Sequence, residues 1–145
     1  MTAGKYEHLI VRRPVPVSSL PHHENMPSVQ YPVLMSKSLV PEADVWATML
    51  FASSIPDILA ENIQSFGRAA PHKHTAPEIY ILVGDDDAIA AEITLGGEKY
   101  EVSSPCCVYI PAGLPHSIRP IRARAGKAAG FIPVVLSGEY VTEDA

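Results

Sequence analysis

Apolar residues along this chain fall in short runs, several of which alternate with polar residues. That period of two is typical of β-strands, in which successive side chains point to opposite faces. The runs that predict strands are residues 45–54, 78–83, 88–95, 98–102, 106–110, 116–121 and 130–136. Gly96 and Gly97 separate two of these runs and predict a tight hairpin, because both turn positions require positive φ. No segment predicts a convincing helix, so the pattern favours an all-β sandwich, jelly roll or small barrel.

The first forty residues differ in character, because prolines interrupt every candidate element except a short predicted strand at residues 7–11. We therefore predict a Pro-rich N-terminal arm, residues 1–40, and a barrel domain, residues 41–145. A Pro-rich segment loses less entropy on ordering, so we expect the arm to lie against the barrel or a second subunit, with a free tail as the alternative. Residues 58–66 fit either a further strand or a single helical turn.

Composition narrows the classes of partner. The 145 residues suffice for one domain, and 11 Lys and Arg against 16 Asp and Glu give a net charge of −5 without a basic stripe, which argues against nucleic acid. No apolar run approaches the ~18 residues of a membrane span, and residues 1–8 do not resemble a secretory leader. The two cysteines, Cys106 and Cys107, are adjacent and poorly placed to pair, which suits a reducing compartment. We expect a cytoplasmic protein in which both cysteines are small core residues.

Candidate chemistry is concentrated in two short segments. His72 and His74 are two residues apart, so in an extended backbone both imidazoles leave the same face. Glu78 follows with the same parity after the turn at Pro77, and His116 follows a tight turn far downstream. Three imidazole nitrogens and one carboxylate suit a divalent first-row metal ion and leave open positions in an octahedral ion.

The segments that carry these residues, GRAAPHKHTAPEIYILVG at 67–84 and PCCVYIPAGLPHSIRP at 105–120, resemble the two motifs of the cupin superfamily. The resemblance implies a double-stranded β-helix, or jelly-roll barrel, with one metal ion held by His72, His74, Glu78 and His116. The match departs from the usual motifs only outside these four positions.

The resemblance and the donor set together leave three functional hypotheses open. The first is a mononuclear non-haem Fe(II) dioxygenase whose substrate binds through an enolate, carboxylate or phenolate oxygen. The second is a redox-neutral isomerase, lyase or cyclase using Zn, Mn or Ni, with Glu78 moving a proton. The third is a non-catalytic module that binds a small ligand.

Strand alternation extends the candidate site along the chain. Tyr80 should point into the barrel beside Glu78, and Ile118 should do so beside His116, so we predict Glu78 and Tyr80 as catalytic residues in a mostly apolar pocket. Trp46, Met49 and Phe51 are further candidates for its lining. A small, largely apolar substrate is the expected partner. The exposed sheet edges of a small barrel also predict a homodimer.

Overall fold

The computed structural model describes residues 4–16, 32–51 and 71–145. Within them the chain forms twelve strands: β1 (Val15–Pro16), β2 (Pro32–Met35), β3 (Trp46–Thr48), β4 (Leu50–Phe51), β5 (His72–His74), β6 (Glu78–Gly84), β7 (Ile89–Leu95), β8 (Glu98–Ser103), β9 (Cys106–Ile110), β10 (His116–Ala123), β11 (Ala129–Val135) and β12 (Thr142–Asp144). One antiparallel sheet has the order β1-β2-β3-β11-β6-β9, with β4 also on β11, and the other has the order β12-β5-β10-β7-β8. The all-β jelly-roll prediction is confirmed.

The two sheets face each other across a single apolar core. Burial alternates along β6, where Glu78, Tyr80 and Leu82 point inward, and along β10, where His116 and Ile118 do. The remaining core side chains come from both sheets and include Val33, Trp46, Ile89, Ala91, Ile93, Ile110, Phe131 and Val135. The alternation that fills the core therefore also carries a carboxylate and an imidazole into the barrel. No helix among the described residues is long and apolar enough to cross a membrane.

Most predicted strands match the structure closely. The hairpin between β7 and β8 turns at Gly96 and Gly97, whose φ values of 57° and 97° are both positive, as the glycine pair predicts. The predicted strand at residues 45–54 forms β3 and β4, which keep one register along β11 on either side of Met49. The ambiguous segment at 58–66 and the end of the 45–54 run lie outside the described residues.

The N-terminal part departs from the prediction in one element. The strand expected at residues 7–11 is wrong, because Glu7–Leu9 forms a 3-10 turn whose amides bond to Gly4 and Tyr6. A side-chain hydrogen bond of 2.5 Å from Arg12 to Glu7 spans this turn, a local contact that strand periodicity does not encode.

The predicted arm also contributes to the sheet. Strand β2 pairs with both β1 and β3, and Val33 and Val40 are buried, Val33 within the core. Residues 32–40 therefore pack as part of the barrel.

The prediction that both cysteines belong to the core is half correct. Cys106 packs partly against the core, whereas Cys107 is exposed. Neighbouring residues of a strand point to opposite faces, so only one of the two can face inward.

Candidate metal centre

The four predicted ligands come from three strands that meet at one end of the barrel. His116, the first residue of β10, pairs directly with His72 of β5 in one sheet. Glu78, the first residue of β6, lies in the opposite sheet between Ile110 and Val135. Glu78 and His116 thus each occupy the start of an inward-facing row of a strand, and His72 and His74 lie beside them on the short strand β5.

The three imidazoles form a compact cluster. One nitrogen from each of His72, His74 and His116 lies within 4.8 Å of the others, and the ring centroids are 4.7 to 5.2 Å apart. Ligands that sit at ~2.1 Å from one ion are separated by roughly 3–4 Å from each other. The histidines therefore need to move only slightly to share an ion, and we conclude that the cluster can bind a metal.

Glu78 completes the group from the other side. Its Oε2 lies 3.1 Å from Nε2 of His74 and 2.9 Å from Nε2 of His116. The side chains of Glu78, His74 and His116 are almost fully buried. The structure thus brings all four predicted residues together, while their role as ligands stays a prediction.

Backbone carbonyls fix the orientation of two rings. Nδ1 of His74 donates a hydrogen bond of 2.9 Å to the carbonyl of Val141, and Nδ1 of His116 donates one of 2.9 Å to the carbonyl of Leu114. A carbonyl only accepts, so Nδ1 carries the proton in both rings. Nε2 is then the nitrogen that faces Glu78 in each ring and is the atom available to a metal ion, the orientation typical of histidine ligands held by an outer hydrogen bond.

The burial and contacts of three polar atoms indicate whether the residues fit a metal ion. Nε2 of His74, Nε2 of His116 and Oε2 of Glu78 are buried, and none makes a hydrogen bond of good geometry with a described residue. A buried carboxylate that faces two imidazole nitrogens at 2.9 and 3.1 Å needs a proton or a metal cation between them, because bare lone pairs in contact repel each other. The donor set therefore fits a divalent ion.

The electrostatics agree with this interpretation. Burial alone would raise the pKa of Glu78, but the nearby His116 and His74 outweigh it, so the pKa of that carboxyl lies below its usual value. Burial likewise disfavours protonated His74, yet Glu78 and the Val141 carbonyl raise its pKa overall. The pocket thus keeps Glu78 ionised and attracts positive charge to the point where the four side chains meet.

Behind the ligands the interior is apolar. Tyr80 is buried, as predicted, with its ring centroid 5.9 Å from that of His116 and 5.3 Å from that of Phe131. Ile118 is also buried, as alternation predicts. Of the other candidates for the lining, Trp46 is buried, Met49 is half-buried, and the side chain of Phe51 lies outside the described part.

Two residues near the C-terminus support the site without any signal in the sequence. Strand β12 pairs with β5, which brings the Val141 carbonyl to His74. The ring of Tyr140 lies 5.1 Å from that of His74 and 4.7 Å from that of Trp46. These contacts join positions more than sixty residues apart, and only knowledge of the strand pairing could have revealed them.

Comparison with known proteins places the fold. No protein-family model and no curated protein matches the chain. Among solved structures, a single-site mutant of Bacillus subtilis oxalate decarboxylase is 17% identical, with a TM-score of 0.51 over 79% of this chain and 27% of that one. A cupin-like protein from Thermotoga maritima is 12% identical, with a TM-score of 0.52 over 80% of this chain and 74% of that one. A cupin 2 domain-containing protein from Halorhodospira halophila is 16% identical, with a TM-score of 0.52 over 79% and 67%.

The similarities show the fold, a β-barrel, and the chain's own geometry adds a histidine cluster in its interior that can bind a metal ion. The chain has the cupin superfamily fold, which confirms the resemblance seen in its two motifs. It spans about a quarter of the length of the oxalate decarboxylase it matches, since the alignment covers 27% of that chain.

Proposed function

We propose that the protein is a mononuclear metal-dependent enzyme, with Fe(II) oxygenation of a small, largely apolar substrate as its reaction. His72, His74, Glu78 and His116 would hold the ion. The observation that carries the proposal is the buried meeting of Nε2 of His74, Nε2 of His116 and Oε2 of Glu78, three polar ligand atoms without hydrogen bonds of good geometry to described residues.

The charge of the donor set favours one class of ligand atom. One carboxylate and three neutral imidazoles offset only part of a divalent charge, so the pocket retains a net charge of about +1. In a low-dielectric interior this favours an ionised oxygen such as an enolate, carboxylate or phenolate. When bound, Fe(II) supplies Lewis acidity and the capacity to activate dioxygen.

The chain's own residues would orient the substrate and exclude water. Tyr80 and Ile118 present mostly apolar surface beside the ligands, Phe131 packs against Tyr80, and all three are buried. Such a wall favours a small apolar body with a single polar end, because a polyhydroxylated substrate would leave its hydroxyl groups without partners. Tyr80, packed against the ring of His116, is the candidate contact to the substrate.

A second candidate is a redox-neutral lyase, isomerase or cyclase with Zn, Mn or Ni. Glu78 supports it, because its Oε2 faces the site without a hydrogen bond of good geometry and is placed to accept or return a proton. Oxalate decarboxylase, which shares the fold, is itself named for a reaction that removes carbon dioxide. The third hypothesis for the same cluster is a module that binds a small ligand without catalysis.

Metal content and turnover together test these candidates. Protein purified without added metal is analysed for its elements, then loaded with Fe(II) and assayed for oxygen uptake with phenolic and enolisable compounds. We expect uptake by the wild type, none by His116→Ala or Glu78→Gln, and full uptake by His8→Ala, whose imidazole lies on the surface beside Glu42.

Each other outcome would redirect or refute the proposal. Turnover without oxygen in the presence of Zn, Mn or Ni would select the redox-neutral candidate. A small molecule that stays bound through purification, and is released unchanged both with Fe(II) and oxygen and with Zn, Mn or Ni without oxygen, would select the binding module. The metal centre itself would be refuted if the wild type bound none of these metals more tightly than His116→Ala does.

A further inference from the structure

A separate recess lies behind the candidate metal centre. Its volume is about 420 Å³, and it is lined by Trp46 and by the segments 36–38 and 138–140. Tyr140 forms a shared wall, because its ring packs against Trp46 on one side and against His74 on the other. A volume of this order is typical of sites for small organic molecules.

The two segments that form the recess are held firmly together. The amide of Lys37 donates a hydrogen bond of 2.8 Å to the carbonyl of Gly138. A Cβ at Gly138 would lie 2.2 Å from the carbonyl oxygen of Ala43, so only glycine allows the backbones to approach this closely. The hydroxyl oxygens of Ser36 and Ser38 are 2.8 Å apart and brace the other segment. The recess is therefore a built feature of the fold.

Its lining combines an aromatic surface with hydrogen-bond donors. Tyr140, which is half-buried, supplies most of the aromatic surface, and Trp46, only 3% exposed, packs against it. Positions 36–38 supply the Lys37 ammonium group and the exposed hydroxyl of Ser38, which bonds to the buried Ser36. Within the described part of the chain, no carboxylate lies within ion-pair distance of the Lys37 ammonium, which leaves it available to a ligand. Glu139 is the one acidic side chain of the lining.

We infer that this recess binds a planar aromatic carboxylate. The ring packs on Tyr140, close to Trp46 behind it, and the carboxylate is held by the exposed Lys37 and the hydroxyl of Ser38. Glu139 opposes this charge and limits the affinity for a simple monoanion. The inference does not depend on the proposed function, because no metal takes part in the binding.

Trp46 makes the test direct, because it is the only tryptophan of the chain. Its fluorescence is followed during titration with benzoate, using chelator-treated protein so that no metal can hold the carboxylate. We expect a saturable change, with binding weakened roughly tenfold in Lys37→Met and strengthened severalfold in Glu139→Gln. Lys127→Met makes the same charge change beside β11 at the opposite end of the barrel and should bind like the wild type.

Three further probes examine the assigned chemistry. Benzyl alcohol lacks the charge, benzylamine reverses it, and cyclohexanecarboxylate lacks the planar ring, so each should bind more weakly than benzoate. Equal or tighter binding of benzylamine, or equal effects of Lys37→Met and Lys127→Met, would overturn the proposal. Lys37 and Glu139 are exposed, so both variants should fold, and far-ultraviolet circular dichroism checks this.

The outcome is distinguishable from failure of the metal proposal. Benzoate binding that appears only after a metal is restored would place the carboxylate on the metal and overturn the recess site alone. Benzoate binding by chelator-treated His116→Ala, with no metal binding by the wild type, would support the recess while refuting the metal centre.

Discussion

The C-terminal segment offers the sharpest test of how the fold supports the cluster. The carbonyl of Val141 accepts the Nδ1–H of His74 at 2.9 Å, and Thr142 pairs with His74 in the β12–β5 ladder. A chain that ends at Tyr140 loses both interactions. A chain that ends at Thr142 keeps them, and both truncations remove the same two acidic residues, Glu143 and Asp144.

The expected loss of metal affinity in the shorter chain follows from the role of the hydrogen bond between His74 and Val141. Partners that orient a ligating histidine typically contribute 10–100-fold to metal affinity. His74 is only 3% exposed in the intact protein, but removal of the segment lets water reach Nδ1 and partly replace the lost acceptor. We therefore expect the lower part of the range, a difference of about tenfold or ~1.4 kcal/mol between the two truncations.

Competition with a chelating dye measures this difference for Zn(II), which is redox-inert, at one pH and ionic strength. Imidazole ¹⁵N shifts provide an independent readout, since the chain ending at Tyr140 should lose the strong preference for protonated Nδ1 at His74. Circular dichroism establishes that both truncations fold. Metal affinities equal within about twofold, with the tautomer unchanged, would refute the supporting role of the Val141 carbonyl.

Two further predictions concern stability. Arg124 and Arg122 hold the pKa of Asp87 below its usual value, so its stabilising contribution is present above the unfolded pKa of ~3.9 and is lost as pH falls through the lower folded value. In urea denaturation at pH 6, the free energy of unfolding of the wild type should exceed that of Asp87→Asn, and this difference should vanish below about pH 4. A difference that does not change with pH would contradict the assignment. Leu82→Ala, at a core position 1% exposed, should lower the free energy of unfolding by ~2–5 kcal/mol. The matched change Leu136→Ala, at a position 42% exposed, should cost less than ~0.5 kcal/mol, and equal losses would be inconsistent with this core.

The sequence predicts the strands near the site because one face of each is buried. The alternation that turns Tyr80 and Leu82 inward also turns Glu78 inward, and the parity of His72 and His74 places both rings on one side. These are local properties, which a period of two reveals without any tertiary information. The hairpin at Gly96 was predictable for the same reason, since turn chemistry is local.

The parts that the sequence did not predict depend on contacts between distant segments. Tyr140 and Val141 carry no local pattern, and they reach His74 only because β12 adds to the edge of β5. The recess requires the turn at 36–38 to meet Gly138, a contact between segments about a hundred positions apart. The participation of β2 in the sheet is masked by the surrounding prolines, which favour an irregular segment by composition.

The position of the ligands at strand starts explains how one pattern serves both packing and chemistry. Glu78 and His116 each head a row of buried residues, so the core behind them fixes the direction in which they point. A shift of register by one residue would turn each whole row to the outer face, and the ligands would leave together with the core side chains. Correct folding of β6 and β10 therefore turns two of the four donors into the barrel. The pairing of His72 with His116 and the carbonyl of Val141 then aim the other two, so the cluster depends on sheet register together with the carbonyls of Leu114 and Val141, which lie just outside the strands.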